Sequence, residues 1–299
     1  LLSTTSSAAL AVVSATMYRR QPAAFTGLPV VSALLLALGS LRLLLGSPVS
    51  VVVPLWQGFF VLTIAAERLE LSRLVKTPPR ATAWLLLLTL LLALSALFHE
   101  QSPHIAPHLF GLSLLLIALW QLRYDIARRT VKQTGLPRFV AIGVLSGALW
   151  LLLSGLLWLC LSIPPVGPRY DAAVHGVFLG YVLSMVIAHA PIIFPTVAKL
   201  RIPFTTLLYL PLFLLHLGLS LRFTADLLGL GPLRLLAGTL NAAVLPVLLL
   251  SVLLSARLSV AKAKPTAKRL GTLPHRVTQH ASASDGASDN ALESPAENL

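Results

Sequence analysis

The chain has 299 residues, of which 56% are hydrophobic and only 11% charged, with a formal net charge of +13. An ordinary soluble domain is about 25% charged, and here apolar runs of bilayer-spanning length recur along nearly the whole chain. This excludes a soluble enzyme and implies an all-α, polytopic transmembrane helix bundle. The single cysteine, Cys160, lies inside an apolar run, which excludes both a disulfide framework and a thiolate metal cage.

The chain begins at Leu1, and Leu1 to Tyr18 reads as the remaining part of a first span, followed by Arg19 and Arg20. A signal peptide carries its basic residues before the apolar stretch, so this polarity argues against one and suggests missing N-terminal sequence. The spacing then predicts spans at about 28–46, 50–67, 81–98, 106–122, 138–162, 171–196, 203–222 and 232–256, nine in all. Short connections punctuated by Gly27, Pro48, Pro78, Pro79, Gly135, Pro137, Pro164 and Pro165 imply one bundle over 1–256. From Arg257 to Leu299 the chain starts basic (Lys262, Lys264, Lys268, Arg269) and ends as a Ser, Ala, Asp and Glu tract without apolar period. That composition predicts a disordered tail, holding His275 and His280 outside any site.

Charge placement tests this division. With Arg19 and Arg20 on the cytoplasmic side, strict alternation puts Arg68, Arg73, Lys76, Arg80, Arg123, Arg128, Arg129, Lys132, Arg138, Lys199, Arg201 and the tail there too. Only Arg42, Arg169, Arg222 and Arg234 of the 23 Lys and Arg fall on the other side. The bias fits a multi-pass membrane protein with its tail in the cytoplasm. It also accounts for the net charge better than nucleic-acid binding does, so the lipid bilayer is the expected partner.

The segment Asp171 to Pro195, DAAVHGVFLGYVLSMVIAHAPIIFP, carries two histidines, His175 and His189, within one apolar span. Ionisable residues are costly there and by default mark a functional interior face. On a uniform α-helix the two lie about 40° apart around the axis and about 21 Å apart along it, so they share a face and serve two separate centres. Asp171 is one turn before His175, either orienting the imidazole as a second-shell carboxylate does or capping the helix. His99, His104, His108 and His216 fall on the same outer side as His175, and His216 on the next antiparallel helix is its expected partner. Pro191 and Pro195 follow His189 and free carbonyls one turn earlier. Gln57, Gln121 and Asn241 are further interior polar residues, and Glu67 at the inner end of the third span is placed to face His189 or to snorkel.

Gly176, Gly180, Ser184 and Ala188 form a small-residue stripe nearly opposite the histidines, and Gly143 with Gly147 forms another; such stripes let helix backbones approach closely in lipid. His99-Glu100 continuing to His104 is HExxxH, interrupted by Pro103, and is not the zinc-protease spacing. There is no phosphate-binding glycine loop, haem-attachment CxxCH or GxSxG elbow.

FFVLTIAAERLELSRL (Phe59 to Leu74) and HGVFLGYVLSMVIAHAPIIFPTV (His175 to Val197) resemble a family of bacterial polytopic membrane proteins without assigned activity. That family is loosely similar to the NnrS proteins, haem- and copper-containing membrane proteins linked to nitric oxide stress, and to the histidine-bearing helices of haem-copper oxidase subunit I. The resemblance implies haem or copper bound by intramembrane histidines. Related proteins often carry an early histidine in the third span, where this chain has Val51 to Pro54.

Three readings follow. In the first, haem or copper is held by His175 and His216 as the outer metal-ligand pair, with His189, His108 and Asp171 completing the cofactor-binding set. In the second, the chain is a small-solute transporter or channel gated by the kinked seventh span. In the third, it is a non-catalytic membrane subunit whose histidines only bond between helices. No catalytic residue is assigned.

Overall fold

The computed structural model describes residues 2–75, 77–161, 166–199 and 204–270, with side chains described to 257 except for that of 198. Lys76, Pro164, Pro165, Arg201 and the tail beyond 270, with His275 and His280, lie outside the described residues. In chain order the helices are α1 Leu2–Arg20, α2 Ala24–Leu44, α3 Val49–Ser72, α4 Pro79–Leu97, α5 Ala106–Tyr124, the short α6 Ala127–Thr130, α7 Leu136–Cys160, α8 Pro168–His175, α9 Ser184–Ala198, α10 Tyr209–Leu228 and α11 Gly231–Leu270. A π-helical stretch, Gly176–Leu183, joins α8 to α9. Two compact units are present, Leu1–Ser259 and Val260–Leu299. The described part of the second is helical through Leu270, so helix covers the beginning of the segment expected as disordered tail.

Eight helices of the described residues are long and apolar enough to cross a membrane, from Ala24–Leu44 through Gly231–Arg257. The expected first span, α1, does not qualify, because serine and threonine dilute its apolar content. Its polarity is inverted relative to a soluble helix: Ser7 and Ser14 are buried, whereas Val12, Val13 and Met17 face outward. The same inversion recurs around the bundle, with Leu34, Trp84, Leu90, Phe213, Leu235 and Leu249 exposed. Soluble monomers rarely expose contiguous apolar surface on this scale, and a lipid environment removes its cost. The chain is an integral membrane protein.

Proline helps set several helix starts. Pro79, Pro107, Pro137 and Pro168 sit in first turns, where a missing N–H leaves no hydrogen bond unmade. Outside water there is little hydrophobic drive between helices, so close backbone approach does the packing. The two expected small-residue stripes turn out to be two sides of one contact. Gly143 and Gly147 on α7 face Ser184, Ala188 and the Gly180 and Tyr181 carbonyls, and the Ser184 hydroxyl donates to the Gly143 carbonyl at 2.8 Å. A second close approach, between Gly111 of α5 and Gly155 of α7, has no four-residue stripe behind it. A Cβ at Gly155 would stand 2.5 Å from the Leu115 nitrogen and 2.8 Å from the Gly111 carbonyl oxygen.

One apolar core joins α2 to α5, α7 and the π-helical stretch through Leu62, Leu92, Phe110, Leu151 and Tyr181; another joins α7, α9, α10 and α11 through Phe139, Ile187, Leu215 and Val244. The helix running from Pro168 to Ala198, with α7, therefore sits between both cores.

Overpacking a tight helix contact costs about 1–3 kcal/mol. Gly155→Ala should lower the thermal unfolding midpoint in detergent, while Gly231→Ala, where nothing lies within 4 Å of a new Cβ, should leave it unchanged. Equal midpoints for the two variants would refute the close-packing assignment.

Candidate functional site

Two charged clusters flank the Pro168–Ala198 helix. At the end bearing Arg73 and Arg128, the α3 residue Arg68 is 3% exposed. Its guanidinium meets Glu67 Oε1 at 2.5 Å, His189 Nε2 at 3.2 Å and, less closely, Asp125 Oδ2 at 3.9 Å. His189 Nδ1–H donates to the Met185 carbonyl at 2.8 Å, which leaves Nε2 as an acceptor for the arginine N–H. Glu67 Oε1 is 3.5 Å from the same nitrogen. Glu67 therefore does face His189, and it does so through a shared arginine that strict alternation had placed at the inner face.

Asp125 follows α5 and is 3% exposed. Its Oδ1 accepts the Ala127 N–H at 2.8 Å, while Oδ2 has no hydrogen-bond partner. Burial raises its carboxyl above the usual range, and the Arg68 charge opposes that rise. Gln121, one turn earlier on the same face, is 2% exposed with both amide atoms unpaired. It lies within interaction range of the buried Tyr181 hydroxyl of the π-helical stretch, and neither group makes a well-formed hydrogen bond. Gln57, fully buried and unpaired, shares a face of α3 with Arg68. Such groups are scarce in folded proteins and point to water, an ion or a ligand. Asp125 and Tyr181 were not singled out from the sequence. The available signals were the Gln121–Asp125 spacing and an acidic residue embedded in a basic loop.

At the opposite end Asp171 of α8 and Asp226 of α10 pair with Arg222 and Arg234. Asp226 Oδ1 is 2.9 Å from Arg234 Nε and its Oδ2 is 3.7 Å from Arg222 Nε, while Asp171 Oδ2 contacts Arg222 at 3.4 Å and pairs closely with Arg234. Arg42 likewise meets Glu100 at 2.9 Å. Three of the four exceptions to the positive-inside pattern are thus ion-paired with carboxylates.

The histidines are distributed differently from expectation. His175 Nδ1–H donates to the Asp171 backbone carbonyl at 2.8 Å, and the Asp171 carboxylate goes to the arginines. Neither the orienting nor the capping role expected of that carboxylate is present. His216 faces α7: the Trp150 indole N–H donates to Nδ1 at 3.0 Å, so Nε2 carries the proton and donates to the Ser146 hydroxyl at 2.8 Å. No hydrogen bond, ion pair or ring contact among the described residues joins His175 to His216 or His108. His108 has a buried, unpaired Nδ1, and His104 is exposed. The π-helical turns between His175 and His189 also cancel the uniform 100° step behind their expected 40° offset.

A haem or copper ion held by His175 and His216 would need a free ring nitrogen on each. Both His216 nitrogens are hydrogen-bonded in this conformation, so binding at that pair would require the Trp150 or Ser146 contact to break.

A family model described as a domain of unknown function, DUF8744, matches residues 1–257, and the chain belongs to that family. No curated protein and no solved structure matches the chain.

Two expected outcomes follow. Removing one partner of a buried ion pair costs about 3–5 kcal/mol, so Arg68→Met should lower the unfolding midpoint strongly. Asp125→Asn in the same chain should recover part of that loss, whereas additive losses would show that the two do not interact. For His99, in the loop before α5, burial pushes the imidazole down to about 4. The unfolded chain then binds the extra proton between about pH 4 and 6.5, so stability rises with pH across that window and falls on acidification. His99→Gln should flatten the midpoint-versus-pH curve there, and an unchanged slope would contradict the burial effect.

Proposed function

As the family description assigns no activity, the reading comes from the chain's own residues: we propose a membrane transporter or channel for a small polar solute, closed at both ends in this conformation. The observation that carries it is the set of buried polar groups that make no well-formed hydrogen bond, Gln121 and its neighbour Tyr181 with Gln57 and Ser154, between two ion-paired clusters on one distorted helix. Intramembrane ionisable residues mark solute, ion and proton paths by default. A π-helical segment followed by Pro191 and Pro195 gives that helix backbone groups able to change partners.

His189 ties this cluster to α9: its Nε2 accepts from Arg68 and stands 3.5 Å from Glu67 Oε1, so release of the Arg68 contact would free one end of the path.

Two measurements test the reading. In a Cys160→Ser background, Gln121→Cys or Tyr181→Cys in membrane vesicles should react with a charged, membrane-impermeant methanethiosulfonate, at a rate raised by Arg68→Gln. In proteoliposome swelling assays with glycerol, urea and glycine as probes, at least one solute should enter faster than into protein-free vesicles. Absence of both labelling and flux would sink the proposal. A Soret band in purified protein that vanishes in His175→Ala would replace it with the haem reading.

A further inference from the structure

At the end of the bundle opposite Arg68, the loop between α4 and α5 closes over a recess of about 190 Å³. Its walls include Val51, His99, Pro103, Pro107, Trp158 and Tyr170. Trp158 is 2% exposed, and its ring meets those of His99, at 5.4 Å and 88°, and Tyr170, at 6.0 Å and 88°, edge to face. Three polar atoms of these side chains are buried with no hydrogen-bond partner: His99 Nδ1, Trp158 Nε1 and the Tyr170 hydroxyl.

Each feature narrows the occupant. An indole N–H only donates, and a phenol hydroxyl donates readily, so the missing partner must present acceptors. Burial disfavours a charged imidazole at His99, and Glu100 at the rim is already paired with Arg42. The recess therefore offers no unpaired charge to an ion. Prolines and aromatic rings suit a flat apolar body. The walls come from the ends of α3, α7 and α8 and the start of α5, where a ligand dissolved in lipid reaches Trp and Tyr at the bilayer boundary.

We propose that this recess binds a neutral, lipid-borne ring carrying carbonyl oxygens, a quinone headgroup by chemical class, with Trp158 and Tyr170 donating to its oxygens. The proposal concerns binding alone and does not rest on the proposed solute path. It gives the HExxxH stretch a role: His99 forms part of an aromatic wall, with no metal involved.

The test is equilibrium binding of a short-chain benzoquinone to the purified protein in nanodiscs, corrected for empty nanodiscs. The expected result is saturable binding, about fivefold weaker in Trp158→Phe and in Tyr170→Phe, each of which removes one donor and keeps a ring. An alkylbenzene of matched chain length, with no oxygen, should bind more weakly than the quinone. Thermal midpoints check that the variants fold, and Tyr170→Phe decides alone if Trp158→Phe does not. Absence of saturable binding, unchanged affinity in Tyr170→Phe, or equal binding of the alkylbenzene would each overturn the proposal and leave ordered water as the occupant.

Discussion

The approach of α7 to the helix running from Pro168 to Ala198 is the constraint that the other contacts are arranged around. In lipid, apolar side chains gain little from leaving one hydrocarbon environment for another, so association depends on how closely two backbones can come. Gly143, Gly147, Ser184 and Ala188 permit that closeness, and the Ser184 hydroxyl fixes the register by donating to the Gly143 carbonyl. With these two helices locked, both apolar cores have a common wall. His189 is then presented to α3 on one side of the lock, while Asp171 meets α10 and α11 at the far end.

Charge is handled in the same way at both ends of that helix. A buried guanidinium is tolerable only with partners, because the low-dielectric interior strengthens attraction and penalises an unpaired ion alike. Arg68 has two carboxylates and an imidazole; Arg222 and Arg234 share two aspartates. Between these ion-paired ends lie neutral polar groups without a well-formed hydrogen bond. A bundle that served only as a scaffold would have little reason to bury Gln121 beside Tyr181 without completing either group's hydrogen bonds. That contrast favours a solute path over purely structural histidines.

The histidines show what residue type and depth leave open. His175 and His216 looked like a ligand pair because they lie at similar depth on consecutive antiparallel helices. Depth is a coordinate along the helix, whereas pairing depends on rotation about it. His216 is rotated toward α7, where Trp150 and Ser146 occupy both nitrogens. The rotation between His175 and His189 was equally out of reach, since nothing in the apolar run Gly176–Leu183 announces that it winds as a π-helix.

By itself the sequence determined the environment and the architecture. Apolar run length specifies helices that span lipid, and small residues four apart mark where helices touch. Each is a one-dimensional signal written by the bilayer along the chain, and Gly143, Gly147 and the Gly176–Ala188 stripe were legible for that reason. Only the tertiary structure decided which polar groups meet. Arg68 and Asp125 are 57 positions apart; Trp158, Tyr170 and His99 belong to three separate segments. Their proximity is set by helix rotation, the π-helical distortion and the Gly111–Gly155 contact, and these depend on packing in three dimensions that no local spacing encodes.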